Sequence, residues 1–208
     1  MKKAITSTIF KLILLTIILI ALYLEIYVNG TIVMGAFFYF TIQSNILAAL
    51  CLLLFIFLPP KSRAKCLIRG IALLSITLTG LVYNFVLYKI FLDWGGGAYT
   101  FSRTVTHVAA PLGFIFDWLI FDKHNMMKIK HIFIWLSYPI AYCLISLYAN
   151  LRYDFSLYFF LNLSGGYSNP LKWLSIFLGL LLIIGFIIVG LDKIIGRRNK
   201  GVLQNTSP

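Results

Sequence analysis

The apolar run that decides the fold is LKWLSIFLGLLLIIGFIIVGLDKI, which occupies residues 171–194. A transmembrane helix needs about 20 mostly apolar residues to cross roughly 30 Å of hydrocarbon, and this run is long enough. Its apolar residues follow one another without alternating with polar ones, which excludes a strand of a membrane barrel. The sequence therefore predicts that Leu171 to Ile194 span a membrane as one helix.

Five further stretches have the same length and character. They run from Ile9 to Val28, Ala36 to Leu58, Leu67 to Leu92, Arg103 to Phe121 and Ile132 to Leu151. Turn-forming residues separate several of them, namely Asn29-Gly30, Pro59-Pro60 and Gly95 to Gly97. We predict an all-α polytopic membrane protein with six transmembrane helices, forming a single domain over residues 1–200 with a short disordered tail over residues 201–208.

The composition agrees with a chain that has lipid as its solvent. Of 208 residues, 61% are hydrophobic and only 12% are charged. The net charge of +12 would suggest nucleic acid in a soluble protein, but the basic residues here lie in short loops between apolar runs, so we expect no nucleic-acid partner. Cys51, Cys66 and Cys143 have no spacing typical of a disulfide framework or a zinc site, and we expect neither a metal nor a cofactor.

Lysine and arginine residues are distributed unevenly between the two sides of the predicted membrane. Fourteen of the 18 flank the start of the first span, follow the second and fourth spans, or close the chain. The other four are Lys89, Arg103, Arg152 and Lys172. Because cytoplasmic loops retain basic residues, we predict a multi-pass protein of the cell membrane with both termini in the cytoplasm.

Polar side chains within the predicted spans cluster toward their outer ends. Thr41, Ser44 and Asn45 share one face of the second span, since residues three and four apart are neighbours on a helix. Asn84 in the third span and His107 in the fourth lie at a comparable level. With a rise of about 1.5 Å per residue, Thr41 and His107 each lie roughly 6 Å below the outer boundary. Polar groups in hydrocarbon are costly unless paired, so this cluster is the candidate site.

The chemistry that these residue types allow is nucleophilic attack on an ester. His107 would withdraw the Thr41 proton, because an imidazole can act as base and then as acid near neutral pH. Asn45 or Asn84 could donate to the developing oxyanion, with Ser44 beside them in the pocket. Such amides are more often ties between helices than catalytic groups, and a threonine in a membrane helix usually bonds its own preceding carbonyl.

No carboxylate is well placed in the sequence to orient the imidazole. The outer-side possibilities are Glu25, Asp93 and Asp154, so the site is described as a dyad. Asp117 lies near the opposite end of the fourth span. We predict that it pairs with a lysine or arginine from the cytoplasmic side.

Several short runs resemble a known family. They are YFTIQSN at residues 39–45, HVAAP at residues 107–111, FDWL at residues 116–119 and Gly166-Tyr167. They look like a bacterial family of six-helix membrane proteins that is similar in turn to the animal androgen-induced and androgen-dependent TFPI-regulating proteins. The animal members are membrane threonine hydrolases that cleave fatty acid esters of hydroxy fatty acids.

The resemblance implies that Thr41 and His107 are the catalytic pair and that the partners are membrane lipids or a lipid-ester substrate. It also implies an outer lid between the fifth and sixth spans. One departure falls there, since relatives tend to show Tyr-Pro-Phe-Leu where this chain has YFFL at residues 158–161.

Two other functions compete with a hydrolase. A small transporter or channel for a polar solute or lipid would use Asn45, Asn84 and His107 as a polar binding site. The scarcity of buried charge and the absence of an inverted repeat count against it. The third possibility is a noncatalytic membrane protein that binds a partner.

Overall fold

The structure is a computed structural model that describes residues 2–57, 63–93, 100–164 and 166–205. The predicted breaks at Pro59-Pro60 and at Gly95 to Gly97 lie outside these ranges. Within them, six helices are long and apolar enough to cross a membrane: Lys2–Ile26, Phe40–Phe57, Ala64–Ile90, Phe101–Phe121, Ile129–Tyr153 and Ser168–Arg198. This confirms the predicted class, an all-α polytopic membrane protein.

The chain divides into two compact units, and the first, Met1–Asp122, holds four of these spans. Its helices are α1 (Lys2–Ile26), α2 (Phe40–Phe57), α3 (Arg63–Val82), α4 (Tyr88–Asp93), α5 (Phe101–Thr104) and α6 (Ala110–Phe121). The turn Tyr83–Leu87 joins α3 to α4, and the turn Val105–Ala109 joins α5 to α6. Both turns are π-helical, so the third and fourth spans each continue through a wider turn.

The connection between the first two spans is longer than the sequence predicted, because residues expected at the ends of both α-helices lie outside them. Strands β1 (Tyr27–Val28) and β2 (Thr31–Ile32) pair antiparallel across Asn29 and Gly30, both with positive φ, as a two-residue hairpin requires. A 3-10 helix, Met34–Phe38, follows. The first span therefore ends at Ile26 rather than Val28, and α2 begins at Phe40 rather than Ala36, because the hairpin and the 3-10 turn interrupt the α-helical ladder.

The four spans of the first unit bury one face each and expose the other. On α1, the buried residues Leu14, Ile18 and Ala21 recur at helical spacing, whereas Ile13 and Leu19 are exposed. Helix α1 packs against α2 and α6, and α3 packs against the same two helices. Exposed apolar residues on the outer faces suit lipid, and close packing holds the inner faces together.

A buried charge cluster ties three of these helices together at the end of the unit far from Thr41. Asp117 on α6 is completely buried, and its Oδ1 lies 2.8 Å from the Lys11 Nζ of α1. Its Oδ2 pairs with Arg69 Nη2 of α3, and the Arg69 Nε lies 3.0 Å from Asp122 Oδ2. The Phe114 ring covers the guanidinium at 4.3 Å. The prediction that Asp117 pairs with lysine or arginine is confirmed.

We expect Asp117→Asn to destabilise the protein strongly. Removing one charge from a buried pair leaves the partner cations uncompensated, a loss on the order of 3–5 kcal/mol. Thermal unfolding of the purified protein in detergent would measure it. The control is Asp154→Asn, the same substitution at an exposed position, where the change should stay within about 0.5 kcal/mol. Equal melting temperatures for the two variants would show that the cluster contributes little to stability.

The second unit, Lys123–Pro208, holds α7 (Ile129–Tyr153) and α8 (Ser168–Asn205). Between them lies a 3-10 helix, Phe159–Leu161, within the YFFL run, and Phe160 of this helix packs against Phe177 of α8. Helix α8 continues past Ile194, where the sequence placed the end of the span. It is helical as far as Asn205, so the predicted disordered tail is helical over 201–205, and residues 206–208 lie outside the described residues.

The loop before α7 is hydrogen-bonded to one carboxylate of α8. Asp192 is fully buried, and its Oδ2 accepts the backbone N–H groups of Met126 and Met127, each at 2.8 Å. Its Oδ1 lies 3.2 Å from His124 Nδ1, and its backbone carbonyl accepts the N–H of Asn125 at 3.0 Å. A carboxylate that receives several donors satisfies loop N–H groups that would otherwise be buried unpaired.

Close approach of this loop to α8 depends on Gly196. A Cβ at that position would meet Asn125 Cβ at 2.5 Å and Asn125 N at 2.8 Å, and the contacted backbone cannot simply move aside. We expect Gly196→Ala to destabilise the protein by about 1–3 kcal/mol through overpacking. Gly190→Ala on the same helix meets nothing within 4 Å and should be neutral or stabilising. Melting temperatures of the two variants in detergent would compare them, and a Gly196→Ala variant as stable as Gly190→Ala would contradict the close approach.

Candidate active site

Thr41 and His107 converge in the first unit. The Thr41 Oγ1 lies 3.3 Å from His107 Nε2, at the long end of hydrogen-bond range, which is common at catalytic pairs without substrate. Thr41 lies in the first turn of α2 and is half-buried, whereas His107 lies in the π-helical turn of the fourth span and is 8% exposed. Thr41 is therefore the more accessible residue of the pair and His107 the more enclosed one.

Backbone contacts determine which ring nitrogen of His107 carries the proton. Its Nδ1 lies 3.0 Å from the carbonyl oxygen of Arg103, and a carbonyl can only accept a hydrogen bond. The Thr106 hydroxyl donates to the carbonyl of Ser102 at 2.9 Å, so its oxygen can accept from the same Nδ1, 3.0 Å away. In the neutral imidazole the proton is then on Nδ1, and Nε2 offers a lone pair to the Thr41 hydroxyl.

The Arg103 carbonyl and the Thr106 hydroxyl orient the imidazole. The sequence offered only Glu25, Asp93 and Asp154 as candidates for this role. The Asp93 side chain lies outside the described residues. The nitrogen that an orienting carboxylate would bind is occupied by the Arg103 carbonyl and the Thr106 hydroxyl. A neutral backbone acceptor therefore fixes the ring, and the pair needs no third ionised residue to hold its tautomer.

Two backbone carbonyls near His107 lack their usual α-helical hydrogen bonds, for separate reasons. The N–H of Ala110 donates to the carbonyl of Val105, five residues back, so the Thr106 carbonyl loses its usual α-helical donor. Pro111 has no N–H, so the His107 carbonyl loses its donor as well. Inside a membrane such groups must find partners within the protein.

The side chains of Asn45 and Asn84 supply those partners. Asn45 Nδ2 donates to the Thr106 carbonyl at 3.0 Å and to the Thr41 carbonyl at 2.9 Å. Asn84 Nδ2 donates to the His107 carbonyl at 3.0 Å and to the carbonyl of Gly80 at 2.7 Å. Both hydrogens of each amide are directed to backbone oxygens. This geometry favours the reading of these residues as interhelical ties over the alternative as oxyanion donors.

Ser44 also acts between helices. It is fully buried, and its Oγ lies 2.7 Å from the Thr79 Oγ1 of α3 and donates to the Thr41 carbonyl at 3.0 Å. The carbonyl of Thr41 therefore receives both Ser44 and Asn45. These bonds fix the backbone of the candidate nucleophile and leave its hydroxyl directed to His107.

The sequence placed Arg103, Thr106 and Tyr83 near this level but assigned no role to any of them. The Tyr83 ring stacks on the His107 ring with centroids 3.6 Å apart and an interplanar angle of 26°. One signal was readable, since proline four residues after His107 leaves the histidine carbonyl without its donor. Gly80 allows the close approach, because a Cβ there would lie 3.0 Å from Pro111 Cβ.

The fold and the site together define a class, an all-α multi-pass membrane protein with a threonine hydroxyl hydrogen-bonded to a histidine. A search of protein-family models, of curated proteins and of solved structures found no match to this chain.

The pairing of Asn84 with the His107 carbonyl can be tested by a double-mutant comparison. We expect Asn84→Ala to lower the free energy of unfolding by about 1–3 kcal/mol, because the His107 carbonyl loses its side-chain donor. The loss should be smaller in a Pro111→Ala background, where the N–H introduced at position 111 can donate to that carbonyl. Thermal unfolding of the four proteins in detergent gives both values. Equal losses in the two backgrounds would contradict the assigned partner.

Proposed function

We propose that this protein is a membrane-embedded lipid-ester hydrolase in which Thr41 is the nucleophile and His107 the general base. The observation that carries the proposal is the Thr41 Oγ1 to His107 Nε2 contact of 3.3 Å, on an imidazole whose Nδ1 is held by the Arg103 carbonyl. An unactivated threonine hydroxyl is a weak nucleophile. An adjacent base with an available lone pair is what activates such a group.

The reaction proceeds in two halves. Nε2 of His107 takes the hydroxyl proton as Thr41 Oγ1 forms a bond to the ester carbonyl carbon, giving a tetrahedral intermediate. The intermediate collapses as the C–O bond to the alcohol breaks, and His107 returns the proton to the departing alkoxide. An acyl-threonine remains. Water then attacks the acyl carbon with His107 again as base, which releases the fatty acid and restores the Thr41 hydroxyl.

Apolar residues beside Thr41 support a fatty-acyl substrate. Phe38 and Tyr39, immediately before α2, are 58% and 42% exposed, and Phe37 is 38% exposed. An acyl chain dissolved in the surrounding lipid would enter laterally and meet these side chains. Its ester carbonyl would then lie at the level of Thr41. A substrate already in the bilayer needs no aqueous channel to reach a half-buried hydroxyl.

The distribution of lysine and arginine supports a location on the extracytoplasmic side. The charge cluster around Asp117 lies at the end of the first unit that the basic residues assign to the cytoplasm, and Thr41 lies at the opposite end. Both termini would then be cytoplasmic, and the water for deacylation would come from outside the cell.

A polar-solute transporter fits the same residues less well. Such a site would need side-chain donors that can turn to a solute, but the amides of Asn45 and Asn84 are engaged with backbone carbonyls. Releasing them would leave those carbonyls unpaired within the membrane.

Purified protein should hydrolyse long-chain acyl esters in detergent or liposomes and should react covalently with a fluorophosphonate probe. We expect Thr41→Ala to abolish both, and Thr41→Ser to retain them because the hydroxyl remains. His107→Ala should lower turnover by about 10²–10⁴-fold, the range that a general base supplies. Ester turnover and probe labelling of the four proteins would be measured together.

Thr16→Ala is the matched control. Thr16 is an exposed threonine of α1 whose hydroxyl donates to the carbonyl of Leu12, and its loss should change neither turnover nor labelling. Labelling that persists in Thr41→Ala would refute the assignment of the nucleophile. Unchanged turnover in both Thr41→Ala and His107→Ala would refute the hydrolase site.

A further inference from the structure

The Tyr83 ring covers a face of the His107 imidazole. Tyr83 is 8% exposed, and its ring stacks on the imidazole with a centroid distance of 3.6 Å. The tyrosine lies in the π-helical turn Tyr83–Leu87 of the third span, and the histidine lies in the π-helical turn of the fourth. The two π-helical turns therefore contact each other through the rings of Tyr83 and His107.

This stacking affects the positive charge that forms on His107 during the proposed reaction. When His107 takes the Thr41 proton, the imidazole becomes a cation in a buried position. The Nδ1 side is held by the neutral Arg103 carbonyl and Thr106 hydroxyl, whereas a carboxylate in the Ser-His-Asp arrangement stabilises the cation directly. A further source of negative potential next to the ring would add to the stabilisation that these neutral acceptors supply.

The face of an aromatic ring provides such a potential. Its quadrupole is negative above and below the plane, and a cation within about 6 Å of the centroid is attracted, most strongly when water is excluded. The neutral imidazole gains much less from this term, because it carries no net charge. The stacked ring therefore favours the state formed during proton transfer over the resting state.

We propose that Tyr83 is a positioning residue for the hydrolase reaction, whose ring stabilises the His107 imidazolium in place of a carboxylate. The proposal rests on the function proposed above. Tyr83 acts through His107 and does not itself exchange a proton or bond to the substrate.

The neighbouring contacts hold the ring where it is needed. Asn84, the next residue, donates to the His107 carbonyl, so the backbone beside Tyr83 is tied to the turn that carries the imidazole. Gly80, three residues earlier, gives the close approach of the two helices. The ring is consequently in place before the charge develops and needs no reorganisation during the reaction.

The test separates electrostatic stabilisation from packing by fluorination. Tyr83→Phe is the reference, and mono-, di- and trifluorinated phenylalanines are then introduced at the same position by nonsense suppression. Each fluorine weakens the negative face of the ring while the ring itself remains. We expect kcat for ester turnover to fall with each added fluorine, by about tenfold over the whole series, with KM and the melting temperature unchanged.

The same fluorinated residues at Phe85 are the control. Phe85 lies in the same turn but is 82% exposed, so kcat should not respond there. Tyr83→Leu, which removes the ring, should lose more activity than the trifluorinated variant.

The possible results separate this inference from the proposed function. If turnover depends on Thr41 and His107 but kcat stays constant across the fluorinated series at position 83, the role of Tyr83 is overturned. The proposed hydrolase function is then unaffected. A decline that parallels the melting temperature, or one that appears equally at Phe85, overturns it too. Absence of turnover in the unsubstituted protein overturns both proposals.

Discussion

The arrangement of the candidate site follows from the need of every backbone carbonyl in a membrane to find a donor within the protein. The π-helical turn around His107 and Pro111 leave the carbonyls of Thr106 and His107 without their helical donors. Asn45 and Asn84 satisfy them from two other helices. The same bonds that meet this constraint join three spans at one level and bring Thr41 and His107 together.

Polar groups serve different purposes in different parts of the chain. In the first unit, ionised residues around Asp117 bind helices by charge at the end away from Thr41. In the second unit, Asp192 satisfies the loop before α7 through backbone donors. The Thr41 and His107 contact instead depends on neutral acceptors and an aromatic face. Neutral acceptors suit a base that must stay unprotonated at rest and carry charge only briefly.

Much of the fold could be predicted from the sequence, and so could the proximity of the polar residues around Thr41 and His107. Apolar runs predicted six spans, and the grouping of Thr41, Ser44, Asn45, Asn84 and His107 at one level matched the side chains that the structure brings together. The boundaries near Val28 and Ala36 were wrong, because hydropathy does not register a two-residue hairpin or a 3-10 turn inside an apolar stretch. The geometry also favours one of the two readings left open for the asparagines.

The sequence by itself determined that the chain is a helical membrane protein, because continuous apolar length is a local property that lipid selects directly. It also marked the polar residues, because each carries a cost in hydrocarbon wherever it lies. Only the tertiary structure decided which atoms those residues bind, the proton position on His107, and the stacking of Tyr83 on the imidazole. The bonds between helices and the stacking depend on contacts between residues far apart in the chain, which no spacing within one helix encodes. The proton position on His107 depends on Arg103 and Thr106 of the same span, through a π-helical turn that the apolar pattern does not reveal.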